Sequence, residues 1–264
     1  MSTAEQALRE GDPELALRLL QDQVRTHPGD ARLRVFLFQL LCVLGRWDRA
    51  LNQLNVAGEL DASTLAMVQT YREALHCEQL RVQVFAGAKL PMLFGEPEAW
   101  TALLLEALLR EGRGEADAAQ ALRAQAFEQA PVVPGTADGQ AFEWLADADM
   151  RLGPLLEAVI NGRYYWVPFA HLAALRLEAP SDLRDKVWLP AQLLFRNGGE
   201  TVALIPTRYA DTDLADPLLA LARRTDWREP RPGFFTGQGQ RLLATDTGDL
   251  ALLDLREIGF GEEA

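Results

Sequence analysis

A chain of 264 residues that is 48% hydrophobic and 24% charged has the composition of an ordinary globular protein, with room for one large core or two smaller ones. Its formal charge of -12 and pI near 4.8 oppose binding to nucleic acid and to anionic membrane, both of which call for clustered Lys and Arg. MSTAEQALREGD at the N-terminus lacks the apolar segment of a secretory signal, and the most apolar run, VFLFQLLCVL at 35–44, is far short of the ~20 residues of a spanning helix, so a cytoplasmic protein is expected.

The first half repeats itself. Gly11-Asp-Pro-Glu-Leu-Ala16 recurs at an offset of 34 residues as Gly45-Arg-Trp-Asp-Arg-Ala50, and Leu20 recurs as Leu54. That offset is the period of the tetratricopeptide repeat, a pair of antiparallel helices. The glycine permits the turn between the helices, the alanine lets them approach closely, and Pro28 ends the second helix. Asp30 is placed to cap the next one. Ala119 and Pro131 repeat the spacing of Ala16 and Pro28, behind a helix that starts near Pro97 and carries Trp100, Leu103, Leu104, Ala107 and Leu108 at helical period. With the degenerate stretch 63–85 also helical, about seven helices are expected over 3–130.

Such a stack presents a concave face. The repeat register assigns its lining to Arg32, Val35, Gln39 and Val43, with Leu8 and Arg9 from the preceding pair. Mixed apolar and polar residues suit a groove that receives an amphipathic helix; Val35 and Val43 would serve equally as core in so apolar a helix. Cys42 and Cys77 lie within helical apolar patterns, lack metal-ligand spacing and read as buried thiols.

At Pro131 the character changes. VVPGTADG makes 131–140 a linker, and 141–264 reads as a second, β-rich domain, small, antiparallel and barrel-like. In 141–151 apolar Phe142, Trp144, Ala146, Ala148 and Met150 alternate with Glu143, Asp147, Asp149 and Arg151, the pattern of a half-buried strand with a solvated acidic face. Further strands are predicted at 155–160, 163–167, 187–195, 201–205, 241–244 and 250–255. Asn161-Gly162 marks a hairpin whose strands would send Tyr164 and Trp166 to one face and Tyr165 and Val167 to the other, as core. One helix, 217–224, follows the capping residue Asp216. The arginines at 223–224 and 228–231 read as solvated faces.

Enzyme constellations are sparse. The three serines, Ser2, Ser63 and Ser181, stand outside any nucleophile elbow, and there is no phosphate-binding glycine loop. His27, His76 and His171 lack the partners that build a metal site. The alternative left open is a hydrolase or metal-dependent enzyme drawing on Asp147, Asp149 and His171.

The runs FEWLADADMRLGPLLEAVINGRYYWVPF, PSDLRDKVWLPAQLLF, IPTRY and GQGQRLLATDTGDLALLDLREI resemble the ImpE/TagJ family of type VI secretion accessory proteins. The resemblance spans most of the chain and is densest over 142–209. It implies an α+β protein, tetratricopeptide-like repeats followed by the β-rich domain, with no cofactor, no metal and no catalytic residue. It implies an adaptor that binds an N-terminal helical segment of the small contractile-sheath subunit and is linked with the ClpV-type ATPase that recycles the sheath. A general tetratricopeptide scaffold is the other non-enzymatic alternative, and oligomeric state stays open. Matched motif residues are Asp149, Arg151, Gly153, Pro154, Trp166, Pro168, Arg184, Asp185, Trp188 and Pro190, for which an architectural role is expected: a bend at Gly153-Pro154 and a loop locked by Arg184 and Asp185.

Overall fold

In the computed structural model, which describes residues 3–261, the first half is a run of helical hairpins capped by local chemistry. The helices are α1 (Ala4–Glu10), α2 (Pro13–Thr26), α3 (Ala31–Val43), α4 (Trp47–Leu60) and α5 (Leu65–Phe85), then α6 (Ala99–Gly112) and α7 (Ala116–Gln129) after a short strand, β1 (Met92–Leu93). Gly11 and Gly45 both take the positive φ that the two turns require, 85° and 64°, which a side chain would strain. Asp30 caps α3 by accepting from the amides of Arg32 and Leu33. The repeated Ala16, Leu20, Ala50 and Leu54, and Ala119 of the later hairpin, are fully buried where helices cross.

The second half follows as β2 (Gly135–Ala137), β3 (Gln140–Phe142), β4 (Leu145–Asp147), β5 (Leu155–Ile160), β6 (Arg163–Pro168), β7 (Leu172–Leu177), β8 (Trp188–Phe195), β9 (Glu200–Pro206), α8 (Pro217–Ala220), β10 (Thr225–Arg231), β11 (Phe234–Gly239), β12 (Leu242–Thr245), β13 (Gly248–Ala251) and β14 (Glu257–Phe260). A nine-stranded sheet has the order β1-β6-β5-β9-β8-β7-β14-β2-β3. Its only parallel pair among the described residues is β1 with β6. A hairpin of β10 and β11 and a small sheet β13-β12-β4 complete it.

The stretch 131–140, read as a linker, contributes β2, which pairs with β14 near the far end of the chain. The predicted strand over 141–151 is broken: β3 and β4 belong to different sheets, and 148–153 turns back so that the Asp147 amide reaches the Gly153 carbonyl at 2.6 Å. Strands β7, β10, β11 and β14 arise where none was predicted.

Alternation in β6 holds. Trp166 and Tyr164 face the helices, with Trp166 5.7 Å from the Phe85 ring, while Tyr165 turns to Phe94 on the other face. The sheet therefore buries both faces. One joins Leu152, Leu155, Trp166 and Trp188 to the helical core of Leu40, Leu54, Tyr71 and Phe85; the other packs Leu156, Leu175, Leu193 and Ile258 among strands.

A buried charge network and the cleft it leaves open

The inner end of the concave face is filled from within. Arg208, just past β9, is buried and donates to the carbonyls of Cys42 (3.2 Å) and Val43 (2.6 Å), the last of α3, and to that of Ala220 (2.6 Å), the last of α8. One guanidinium thus donates to the terminal carbonyls of two helices. Arg223 does the same for α1, donating to Leu8 O at 2.9 Å and Arg9 O at 3.3 Å, so this arginine is a cap and not a solvated face. Trp188 packs 5.9 Å from both Trp47 and Tyr71.

The six residues that the register assigned to the groove therefore separate. Val43 is fully buried and Leu8 nearly so, and neither side chain is open to a partner; Arg9 is exposed beside the Arg223 contact. Arg32 and Val35 remain accessible on α3, with Gln39 beside them but itself buried at 6% exposure. They line a cleft of about 370 Å³ with Glu5, Phe36 and Asp61, and Asp182 stands at its edge. Its floor is apolar and its rim charged.

Below the cleft the two halves are joined by ions. Arg81 of α5 forks onto Glu157 of β5 at 2.6 and 2.8 Å and also donates to the Arg208 carbonyl at 2.6 Å. Arg241 bridges Glu157 and Asp147, and Glu157 further accepts from the Tyr164 hydroxyl, which itself accepts from Trp166 Nε1 at 2.7 Å. Arg151 holds Asp149 through two donors at 2.9 and 2.6 Å, reaches Asp211, and lies 4.6 Å over the Phe85 ring. Trp188 donates to Glu78 at 2.8 Å. The buried carboxylates Glu157, Asp147 and Asp149 each have an arginine partner and a hydrogen bond, the condition on which burial is tolerable.

Burial would raise Glu157, but Arg81, Arg241 and the Tyr164 hydroxyl bring it down to about 2. Asp147 goes the other way. Burial, reinforced by neighbouring Asp149, pushes it up to about 7 against the pull of Arg241. Burial lowers Arg208, whose partners are mostly carbonyls, to about 10.

The expected solvated acidic face at Asp147 and Asp149 is thus overturned: both are buried and committed to arginines, whereas Trp144 of the supposed inner face is exposed. His171 meets Glu98 Oε1 at 2.8 Å and the Phe94 carbonyl at 3.1 Å, sharing no partner with either aspartate. No group of three His, Cys, Asp or Glu among the described residues could hold a metal.

The remaining motif residues pack as follows. Gly153 has φ +54°, and a Cβ there would meet the Phe127 ring at 2.5 Å. Pro154 offers its carbonyl to the Phe169 amide, and Pro168 closes β6 opposite Leu155. Arg184 lies 4.8 Å over the Tyr71 ring and pairs with Asp182, while Asp185 accepts from the amides of Ser181 and Asp182 at 2.8 Å each. Pro190 stands opposite Leu204 on β8. Sequence reasoning missed Arg81, Glu157, Arg208 and Arg241. A signal was present for Glu157, one carboxylate in the apolar run LLEAVI.

Helical hairpins repeating at 34 residues and joined to a β unit define an α+β protein of the tetratricopeptide class. Residues 7–74 match the tetratricopeptide repeat model and residues 139–259 match the model described as ImpE protein. The chain is 55% identical over 97% of its length to the type VI secretion system accessory component TagJ of Pseudomonas aeruginosa, covering 90% of that protein. It is also similar to the crystal structure of protein VPA1032 from Vibrio parahaemolyticus, with TM-score 0.90 and 27% identity over 98% of each chain. The chain belongs to the ImpE/TagJ family of type VI secretion accessory proteins.

Proposed function

We propose that this protein is a non-enzymatic, cytoplasmic adaptor of the type VI secretion system, which receives an N-terminal helical segment of the small contractile-sheath subunit and is linked to sheath recycling by a ClpV-type ATPase. Family membership supports the accessory role. The observation that carries the binding reading is the cleft at Arg32, Val35 and Gln39, apolar at its base and charged at its lip, which is the surface that remains once Val43 and Leu8 are buried. An amphipathic helix would lay its apolar stripe on Val35 and Phe36 and its polar side against Glu5, Asp61 and Arg32.

Val43 is unsuitable as a probe, because its burial makes any polar replacement a folding mutation. Val35→Asp combined with Arg32→Glu is the better pair, since both side chains reach the surface. Pull-down of the sheath subunit should fall by about tenfold or more with circular dichroism unchanged. Full binding by the folded double variant would remove the cleft from consideration.

A further inference from the structure

A second cleft, of about 580 Å³, opens between α5 and the outer end of the large sheet, with Glu73, Asn161, Glu178, Pro190, Val202 and Leu204 among its lining. It shares no lining residue with the α3 cleft. Its shape follows from strand lengths. β8 pairs with β9 along the full length of β9, from Trp188 opposite Pro206 to Leu194 opposite Glu200. On the other flank β5 meets β9 in a single register pair, Val159 with Leu204, and then turns back at Asn161-Gly162. On that flank residues 200–203 of β9 therefore run on without a strand beside them, and Val202 is 74% exposed.

An open strand flank is a template for another chain, and proteins usually blunt it with charge, proline or shortness. The outermost strands of this sheet are short, two residues in β1 and three in β3. On the free flank of β9 the guard is limited to Glu200 at its outer end: Thr201, Val202 and Ala203 carry neither charge nor proline.

The cleft is also acidic. Glu73 and Glu178 line it and no Lys, Arg or His does; the nearest base to Glu73 is His76, one turn along α5 and 3.9 Å away on the exposed side. Pro190 and Leu204 supply an apolar floor between the carboxylates.

We infer that this cleft is a docking surface for an extended, basic peptide segment of a partner protein, which adds a strand to the free flank of β9, sets an apolar side chain beside Val202, and turns Lys or Arg toward Glu73 and across the cleft toward Glu178. Backbone pairing would give affinity and the two carboxylates would select for charge. The inference stands apart from the helix-binding cleft on α3.

The test uses the full chain and a short fluorescein-labelled peptide of alternating lysine and valine, with glutamate-valine and proline-interrupted versions beside it. Fluorescence anisotropy should register binding of the lysine peptide alone, weakened by salt and weakened about tenfold by Glu73→Lys with Glu178→Lys. Val202→Lys, a fully surface change, should weaken it as well, and amide exchange across 200–203 should slow when the peptide is added. Glu5→Lys with Asp61→Lys, in the other cleft, should leave affinity unchanged. The inference fails if the lysine peptide does not bind, if the glutamate or proline peptide binds equally, if the Glu5/Asp61 pair costs as much as the Glu73/Glu178 pair, or if exchange at 200–203 does not change.

Discussion

Glu157 sits between two arginines and a tyrosine hydroxyl with no access to water, so its replacement leaves charge stranded. Glu157→Gln should cost about 3–5 kcal/mol, because Arg81 and Arg241 stay buried without their shared counter-ion; urea denaturation measures it. The two acids of this chain of charges also predict opposite pH responses. Glu157 falls from the usual 4.5 to about 2, so its stabilising contribution is complete above the unfolded value and is lost as pH drops from there toward 2. Asp147 rises from 3.8 to about 7, so the folded state holds a proton that the unfolded state has released, and stability declines as pH climbs through that window. Asp147→Asn should flatten that decline while leaving the acid limb intact, which urea midpoints measured across the pH range would reveal. Gly153→Ala should be destabilising by about 1–3 kcal/mol through positive φ and the Phe127 ring, whereas Gly198→Ala, with φ +83° and nothing near its Cβ, should bear the backbone cost alone.

Elements were legible in proportion to their periodicity. The helical half could be read because Gly11, Ala16 and Leu20 each mark a crossing or turn and recur at fixed spacing. The Asn161-Gly162 hairpin was equally plain, and Trp166 and Tyr164 fill the core face as alternation requires. Alternation misled at 141–151, where buried aspartates take the inside positions; a pattern of apolar and polar residues records hydrophobicity and is blind to carboxylates paired with arginines, Asp149 with nearby Arg151 and Asp147 with distant Arg241. β10 escaped notice because its residues are mostly exposed and it leans on β11 for its hydrogen bonds. For α3, register gives the facing side of the helix without saying which later segment already occupies part of it. Helix ends carry their own prediction. Arg208→Leu would strip donors from the carbonyls of Cys42, Val43 and Ala220 together, and a loss of about 2–4 kcal/mol is expected from chemical denaturation.

For the molecule as a unit, the division read at 131–140 does not partition the core. Tyr71, Phe85, Trp166 and Trp188 belong to one cluster, and Arg81, Arg208 and Arg223 tie the halves at several points. Heating should accordingly produce one transition, with calorimetric and van't Hoff enthalpies equal, and a fragment ending near residue 130 should lose its near-ultraviolet signal. Two separated transitions would contradict a shared interior.

The arginine at 208 follows one strand and closes two helices, one of them, α3, far from it in sequence and in the other half of the chain. Chimeras within the family inherit a constraint from this: exchanging helical halves between relatives transplants acceptors whose donors were left behind in the other parent. Compatibility between halves should then track the identities at 81, 208 and 223 more closely than total sequence similarity.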